Sequence, residues 1–169
     1  MTDQLAFLKD LISAPGLSGY EDPVAKIIED KWRLLVDEIN RGKLGSLHGL
    51  QQGTGQAPRL SVMVATHMDG IGLMVTGITE GLLRITEVGG VDARVLPGTP
   101  VNVFATGAGV MKVFPGMIAQ PSASLLPTEE RDGPVALGNL LVDTGLLPRQ
   151  VSELVRVGDV VSFASRRLN

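Results

Sequence analysis

Cysteine is absent from the chain, whose 169 residues also include only two histidines. Without thiols the protein can form neither a disulfide framework nor a thiolate zinc site. Aromatic residues make up 4% of the chain, so the sequence offers no aromatic platform on which sugars could stack. No apolar stretch approaches the roughly 20 residues that a membrane-spanning helix requires. These absences exclude a cysteine-based scaffold or metal site and a helical membrane span.

The charge and the first residues exclude further classes. The formal net charge is −3, and both signs are interspersed, whereas a nucleic-acid binder normally shows a basic patch or stripe. The first four residues carry an acid and lack the basic start of a signal peptide. Hydrophobic residues make up 44% of the chain, as in proteins that bury a core. We therefore expect a soluble, cytoplasmic protein with no nucleic-acid or membrane partner, folded as one ordinary domain or two small ones.

The first 70 residues predict part of an α/β layer. The apolar spacing indicates helices at residues 3–13 and 22–35, and the second begins with an Asp-Pro pair that is typical of a helix start. Residues 36–39 and 45–50 form a predicted pair of strands, and the apolar run at residues 60–65 predicts a buried central strand. So few strands and helices leave the layer incomplete.

The remaining residues predict a small β-barrel or sandwich. The chain contains 21 glycines and 10 prolines, and short apolar runs separated by such turn residues are typical of strands joined by tight turns. These runs lie at residues 73–75, 82–85, 101–104, 110–113, 116–119, 140–142 and 160–163.

A histidine and an aspartate lie where the predicted central strand ends. His67 and Asp69 are two positions apart, at the kind of strand end where binding and catalytic groups collect in α/β proteins. Neutral imidazole binds metal ions, and a nearby carboxylate can orient the ring. The pair therefore suits a metal site, although a lone histidine at a strand end is more often a hydrogen-bonded structural residue.

Several segments, in order along the chain, resemble the M42 family of aminopeptidases. ATHMDGIGLMV at residues 65–75 resembles the metal-binding strand of that family, AHMDEIGLMV, and GGVDARVLPG at residues 89–98 resembles its GGxDxRVLxG turn. APGLSGYE at residues 14–21 is similar to the N-terminal signature. The segments EER, LVDTG and VGDVV follow in the order of the family, at residues 129–131, 141–145 and 157–161.

The resemblance implies a fold and an assembly. The fold class is α/β, a partial zinc-peptidase-like layer, with an inserted small β-barrel that serves for dimerisation. Residues 1–70 would be the N-terminal part of the catalytic domain, residues 71–165 the barrel, and residues 166–169 the start of the return to the catalytic domain. A homo-oligomer is expected, either a dimer or a larger assembly built from dimers.

The same resemblance implies metal-dependent hydrolysis of peptides from their N-terminus. The complete site of the family holds two divalent ions, zinc or cobalt, which activate a water for attack on the peptide bond. His67 matches a metal ligand, and Asp69 matches the catalytic-site carboxylate that positions it. Gly70 stands where the family has a glutamate. The other ligands and the general base of the family lie beyond the barrel and have no match here. The chain is therefore expected to carry the N-terminal part of an aminopeptidase and to be inactive alone.

Other polar and aromatic residues have structural interpretations. His48 matches no ligand position and is interpreted as an exposed loop residue, and Trp32 as a core residue. Asp92 and Arg94 flank a Gly-Gly turn, so they predict a local ion pair or a cap of that turn. Asp159, in a Val-Gly-Asp-Val segment, fits a β-turn.

Two alternatives to an aminopeptidase stay open. The first is a non-catalytic oligomerisation or binding module that keeps the self-association of the barrel. The second and weaker one is a glycanase, because M42 proteins have been labelled endoglucanases and carboxylate pairs drive glycoside hydrolysis. Glu129 and Glu130 form the one adjacent glutamate pair. We interpret residues 129–132 as a solvated loop rather than as such a pair.

Overall fold

The computed structural model describes residues 4–133 and 135–164. This part of the chain divides into two compact units, with the division between Gly70 and Ile71. Residues 166–169, which the sequence assigns to a return to the catalytic domain, lie outside the described residues. None of the described helices has the length and apolar character to cross a membrane.

Two helices open the first unit. Helix α1 comprises Gln4–Ser13 and helix α2 comprises Asp22–Trp32. A proline in the first turn of α2 suits a position where no backbone donor is needed. The helix ends at Trp32, three residues before the predicted end, and residues 33–35 form a turn. The two helices meet where the ammonium group of Lys31 lies 5.5 Å from the centre of the Phe7 ring.

A two-stranded antiparallel hairpin follows the helices. Strand β1 is Glu38–Arg41 and strand β2 is Leu47–Leu50, so each begins two residues later than predicted. Trp32 is half-buried rather than fully buried, and its ring lies so close to Gly49 that a Cβ atom there would come within 2.8 Å of it. His48 is exposed, as predicted, but it lies in β2 opposite Asn40 rather than in a loop.

The predicted buried central strand at residues 60–65 is wrong for the described structure. Residues 51–69 form no strand, and the side chains of Leu60 and Val64 are 99% and 92% exposed. A buried strand needs hydrogen-bonded neighbours at its edges. The only sheet of this unit within the described residues is the pair β1 and β2, and its strands pair only with each other. Residues 60–65 therefore have the apolar composition of a buried strand but no neighbouring strands, within the described residues, that would bury them.

The second unit is a closed barrel of six strands. The order around the barrel is β3-β4-β7-β6-β5-β8, and all neighbouring strands are antiparallel. The strands are β3 Gly72–Thr79, β4 Leu82–Val88, β5 Pro100–Ala105, β6 Lys112–Ala119, β7 Leu141–Asp143 and β8 Val160–Phe163, with helix α3, Pro148–Leu154, before the last. Six of the seven predicted apolar runs fall wholly or mainly within these strands. The run at residues 110–113 is the exception. Val110 precedes β6, and residues 112–113 belong to the same strand as the next run, residues 116–119.

Alternation along the strands builds the barrel core. Leu73 and Val75 of β3, Val101 and Val103 of β5, and Val161 of β8 are each at most 1% exposed. Residues two apart in a strand share a face, so each strand turns one apolar row inward. This core lies wholly within residues 71–164, and it also takes in Val151 of α3, a helix that the sequence did not predict.

Asp159 is the only charged residue among the buried residues of the described chain, at 4% exposure. Its carboxylate accepts hydrogen bonds from the hydroxyl of Thr106 at 2.6 Å, the amide of Thr106 at 3.2 Å and the amide of Arg156 at 2.8 Å. The sequence predicted a turn residue here. The structure adds that the buried carboxylate of this turn is hydrogen-bonded to Thr106, directly after β5.

Candidate functional site

Two segments of the first unit meet beside the predicted metal site. The amide of Gly70 donates to the main-chain oxygen of Gly16 at 2.6 Å, and Leu17 and Gly70 form a parallel bridge. Leu17 is 2% exposed and anchors this contact. The segment that follows His67 is therefore fixed against the loop between α1 and α2, although residues 60–66 have no strand partner in the described structure.

His67 and Asp69 face each other. His67 Nδ1 lies 3.0 Å from the main-chain oxygen of Asp69 and 3.2 Å from its Oδ1 atom. A carbonyl oxygen and an ionised carboxylate can only accept, so Nδ1 must carry the proton. The lone pair then lies on Nε2, the nitrogen remote from Asp69. The side chain of His67 is 83% exposed and that of Asp69 is 37% exposed.

A third residue, which the sequence analysis assigned no role, completes this cluster. The hydroxyl of Ser18 donates a hydrogen bond to Asp69 Oδ2. The two carboxylate oxygens of Asp69 are thus divided between Ser18 and His67. Ser18 lies within the APGLSGYE segment, but it is 51 positions from Asp69 and the sequence gave no signal of a contact.

The environment keeps Asp69 ionised. The hydrogen bond from Ser18 is the largest cause that lowers the pKa of Asp69, and the hydrogen bond with His67 acts in the same direction. Partial desolvation of the carboxylate opposes them. An ionised Asp69 is the form that accepts hydrogen bonds from both neighbours.

The donor chemistry of these residues fits one position of a metal site. Metal-bound histidines almost always donate their other ring N–H group to a carboxylate, a carbonyl or water, and a neutral histidine whose Nδ1–H group is held by a carboxylate has Nε2 available for a metal. The described residues contain no group of three or more histidine, cysteine, aspartate or glutamate side chains that could hold an ion together. His67 and Asp69 thus fit part of a coordination sphere, and their roles as ligand and positioning carboxylate stay predictions.

The glutamate pair considered for glycoside hydrolysis lies in the second unit. Glu129 and Glu130 belong to an exposed 3₁₀ turn, Thr128–Glu130. The carboxylate of Glu130 accepts a hydrogen bond of 2.5 Å from the side-chain amide of Asn139. This contact gives the carboxylate a local structural partner within its loop.

Comparison with known proteins extends these observations. A family model described as M42 glutamyl aminopeptidase matches residues 45–168. Lysyl aminopeptidase of Pyrococcus furiosus is 33% identical over 168 residues, which cover 93% of this chain and 44% of that protein. The chain therefore spans less than half the length of this relative.

Solved structures of peptidases are also similar to this chain, and the chain again covers less than half of each. A TET aminopeptidase from a Thaumarchaeota archaeon of marine sediment superimposes with a TM-score of 0.83 at 30% identity, over 96% of this chain and 45% of that one. A TET peptidase of Pyrococcus horikoshii, described as assembling into a tetrahedron or a large octahedral shell, has a TM-score of 0.75 at 30% identity, over 97% and 47% of the two chains. These similarities confirm the predicted fold class, a partial α/β layer with an inserted β-barrel.

Proposed function

The chain belongs to the M42 peptidase family, and from this premise we propose that it supplies part of the catalytic site of a metal-dependent aminopeptidase. The observation that carries the proposal is the contact between Asp69 and His67 Nδ1, which leaves Nε2 for a metal ion. A divalent ion, zinc or cobalt, supplies Lewis acidity for peptide hydrolysis when it is bound. The substrate class is peptides with a free N-terminus, as for the aminopeptidases that the chain resembles.

The residues of this chain have separate roles in the proposal. His67 binds the ion through Nε2, and Asp69 holds the imidazole ring in one orientation and one tautomer. Catalytic zinc sites normally use three protein ligands. The described residues supply one histidine ligand and its carboxylate partner, so we expect no turnover of aminoacyl-anilide substrates by this chain alone with zinc, cobalt or manganese supplied.

Metal binding tests the proposal directly. Titration calorimetry with zinc should detect weak binding, no tighter than about micromolar, because affinity grows with the number of preformed ligands. The His67→Ala variant should lose this binding. The His48→Ala variant is the matched control, since it removes the other histidine of the chain, and it should bind zinc as the unmodified protein does.

Two results would contradict the proposal. One is that zinc binding survives in His67→Ala and is lost in His48→Ala. The other is that the unmodified chain shows no measurable binding of either zinc or cobalt. Tight stoichiometric binding that His67→Ala abolishes would instead show that further ligands lie in this chain. Metal-dependent turnover by the chain alone would overturn its assignment as a partial site.

A homo-oligomer is the assembly that we expect. The Pyrococcus horikoshii relative assembles into a tetrahedron or an octahedral shell according to its description, and it matches nearly the whole of this chain. The barrel of this chain closes its own core, so it can serve as a folded contact element. A cytoplasmic location stays a prediction.

A further inference from the structure

The loop that carries Ser18 is built from its own backbone hydrogen bonds. The amide of Tyr20 donates to the main-chain oxygen of Leu17 at 2.7 Å, which closes a tight turn around Ser18. The amide of Gly19 donates to the Glu21 carboxylate at 2.7 Å, directly before α2 begins. Ser18 is therefore held on both sides, and its side chain is presented from a fixed backbone.

The position of this loop against the segment after His67 is equally fixed. Gly16 accepts the hydrogen bond from Gly70, and a Cβ atom on Gly16 would come within 2.5 Å of a Val24 methyl group. A side chain at position 16 would thus force the Val24 side chain, the loop or helix α2 to move. The close approach that only glycine permits brings the Ser18 hydroxyl within reach of Asp69.

We propose that Ser18 is a positioning residue for the metal-binding histidine, because its hydroxyl fixes the Asp69 carboxylate that in turn holds His67 as the Nδ1–H tautomer. This inference rests on the proposed function, in which His67 binds the ion. Groups that hydrogen-bond to a metal ligand commonly change metal affinity by about 10–100-fold when they are removed. Ser18 acts at one step further, through Asp69.

The geometry predicts the size of the effect. Without the Ser18 hydroxyl, Asp69 Oδ2 would be solvated by water, because the side chain is partly exposed, and the carboxylate could rotate away from the ring. The main-chain oxygen of Asp69 would still accept from His67 Nδ1 at 3.0 Å. We therefore expect the loss of Ser18 to weaken the Nδ1–H preference and not to abolish it.

The test compares Ser18→Ala with Ser18→Thr, which keeps the hydroxyl, and with Ser46→Ala, which removes an exposed serine of the β1–β2 turn. Ring-nitrogen chemical shifts from heteronuclear NMR report the tautomer of each histidine at a pH of about 8.5, where imidazole is neutral. His48 serves as an internal reference, because it is the only other histidine. The amide shift of Gly70 reports whether the loop is still docked, since this amide donates to Gly16.

We expect Ser18→Ala to shift His67 toward the Nε2–H tautomer, with the His48 and Gly70 signals unchanged, and to lower zinc affinity by about 10-fold. Ser18→Thr should restore both the tautomer and the affinity, and Ser46→Ala should match the unmodified protein. An unchanged His67 tautomer in Ser18→Ala with the loop still docked would overturn the inference. If the Gly70 signal moves in Ser18→Ala, the loop is no longer docked and Ser18→Thr becomes the deciding variant. Failure of Ser18→Thr to keep the Nδ1–H tautomer would also overturn the inference.

The tautomer measurement needs no metal, so it separates this inference from the proposed function. If the tautomer responds to Ser18 but no variant binds zinc, the positioning role stands and the metal site fails. If zinc binds through His67 while Ser18→Ala changes neither the tautomer nor the affinity, the metal site stands and the role of Ser18 is wrong.

Discussion

Asp92 and Arg94 form an ion pair in the barrel unit. The Arg94 guanidinium reaches both carboxylate oxygens of Asp92, through Nε at 2.9 Å and Nη2 at 2.6 Å, and the Arg94 amide donates to Oδ1 at 3.0 Å. The carboxylate thereby caps the 3₁₀ turn Ala93–Val95. These hydrogen bonds confirm the predicted local ion pair, whereas the cap lies on the 3₁₀ turn and not on the Gly-Gly turn that the sequence suggested.

This ion pair gives a pH prediction. The side-chain hydrogen bond from Arg94, aided by its backbone amide, lowers the pKa of Asp92 from 3.8 to about 2. Since the folded pKa is depressed, the stabilisation is complete above about pH 4 and is lost as the pH falls toward about 2. Carboxyl-carbon NMR should show Asp92 titrating near the lower value. Arg94→Ala should raise the Asp92 pKa toward its ordinary range, whereas Arg84→Ala should leave it unchanged. An unaltered Asp92 titration in Arg94→Ala would refute the assigned cause.

At the residue scale, the sequence found two members of the candidate site and missed the third. His67 and Asp69 carry a local pattern, because they lie two positions apart at the end of an apolar run. Ser18 is 51 positions from its partner, and no periodicity or spacing rule relates such distant residues. Only the folding of the loop onto the segment at Gly70 reveals the contact.

At the scale of elements, the predicted strands are confirmed where the described chain supplies their pairing partners. The run at residues 160–163 is β8, and the run at residues 101–104 lies inside β5, because each packs one face on the barrel core. The equally apolar run at residues 60–65 forms no strand. Hydrophobicity predicts a buried strand, but pairing partners decide whether one forms.

The turn before β8 depends on one buried carboxylate. Asp159→Ala removes the buried carboxylate that accepts from the amides of Thr106 and Arg156, and a hydrogen bond to a charged group contributes about 1.5–3 kcal/mol. We expect the variant to unfold at a clearly lower urea concentration. Asp143→Ala is the matched control, because exposed Asp143 also accepts from a turn amide, that of Gly145 at 2.8 Å, and water can replace it. Equal destabilisation by the two substitutions would argue against a special role of the buried carboxylate.

At the scale of the whole molecule, the two units differ in how much of their apolar surface they bury. The barrel encloses a continuous core of buried residues from all six strands and α3. Helix α1, by contrast, has no buried residue, and the side chains from Leu60 to Val64 include four large apolar groups that are almost fully exposed. Exposed apolar patches of this kind promote association. The barrel buries its own apolar core, whereas the first unit leaves an exposed apolar surface that another protein surface can cover.

This imbalance predicts how the chain associates in solution. We expect light scattering to show a mass above that of the monomer, and the double variant Val62→Asp with Val64→Asp to lower that mass, because charges on this segment oppose burial against a second copy. The matched control is Leu34→Asp with Leu44→Asp, which adds the same charge at two exposed leucines elsewhere in the first unit and should leave the mass unchanged. A monomer at all concentrations would contradict the expectation of a homo-oligomer. An oligomer whose mass neither double variant alters would place the contact elsewhere, with the barrel as the next surface to substitute, at exposed Val113 and Met117 of β6.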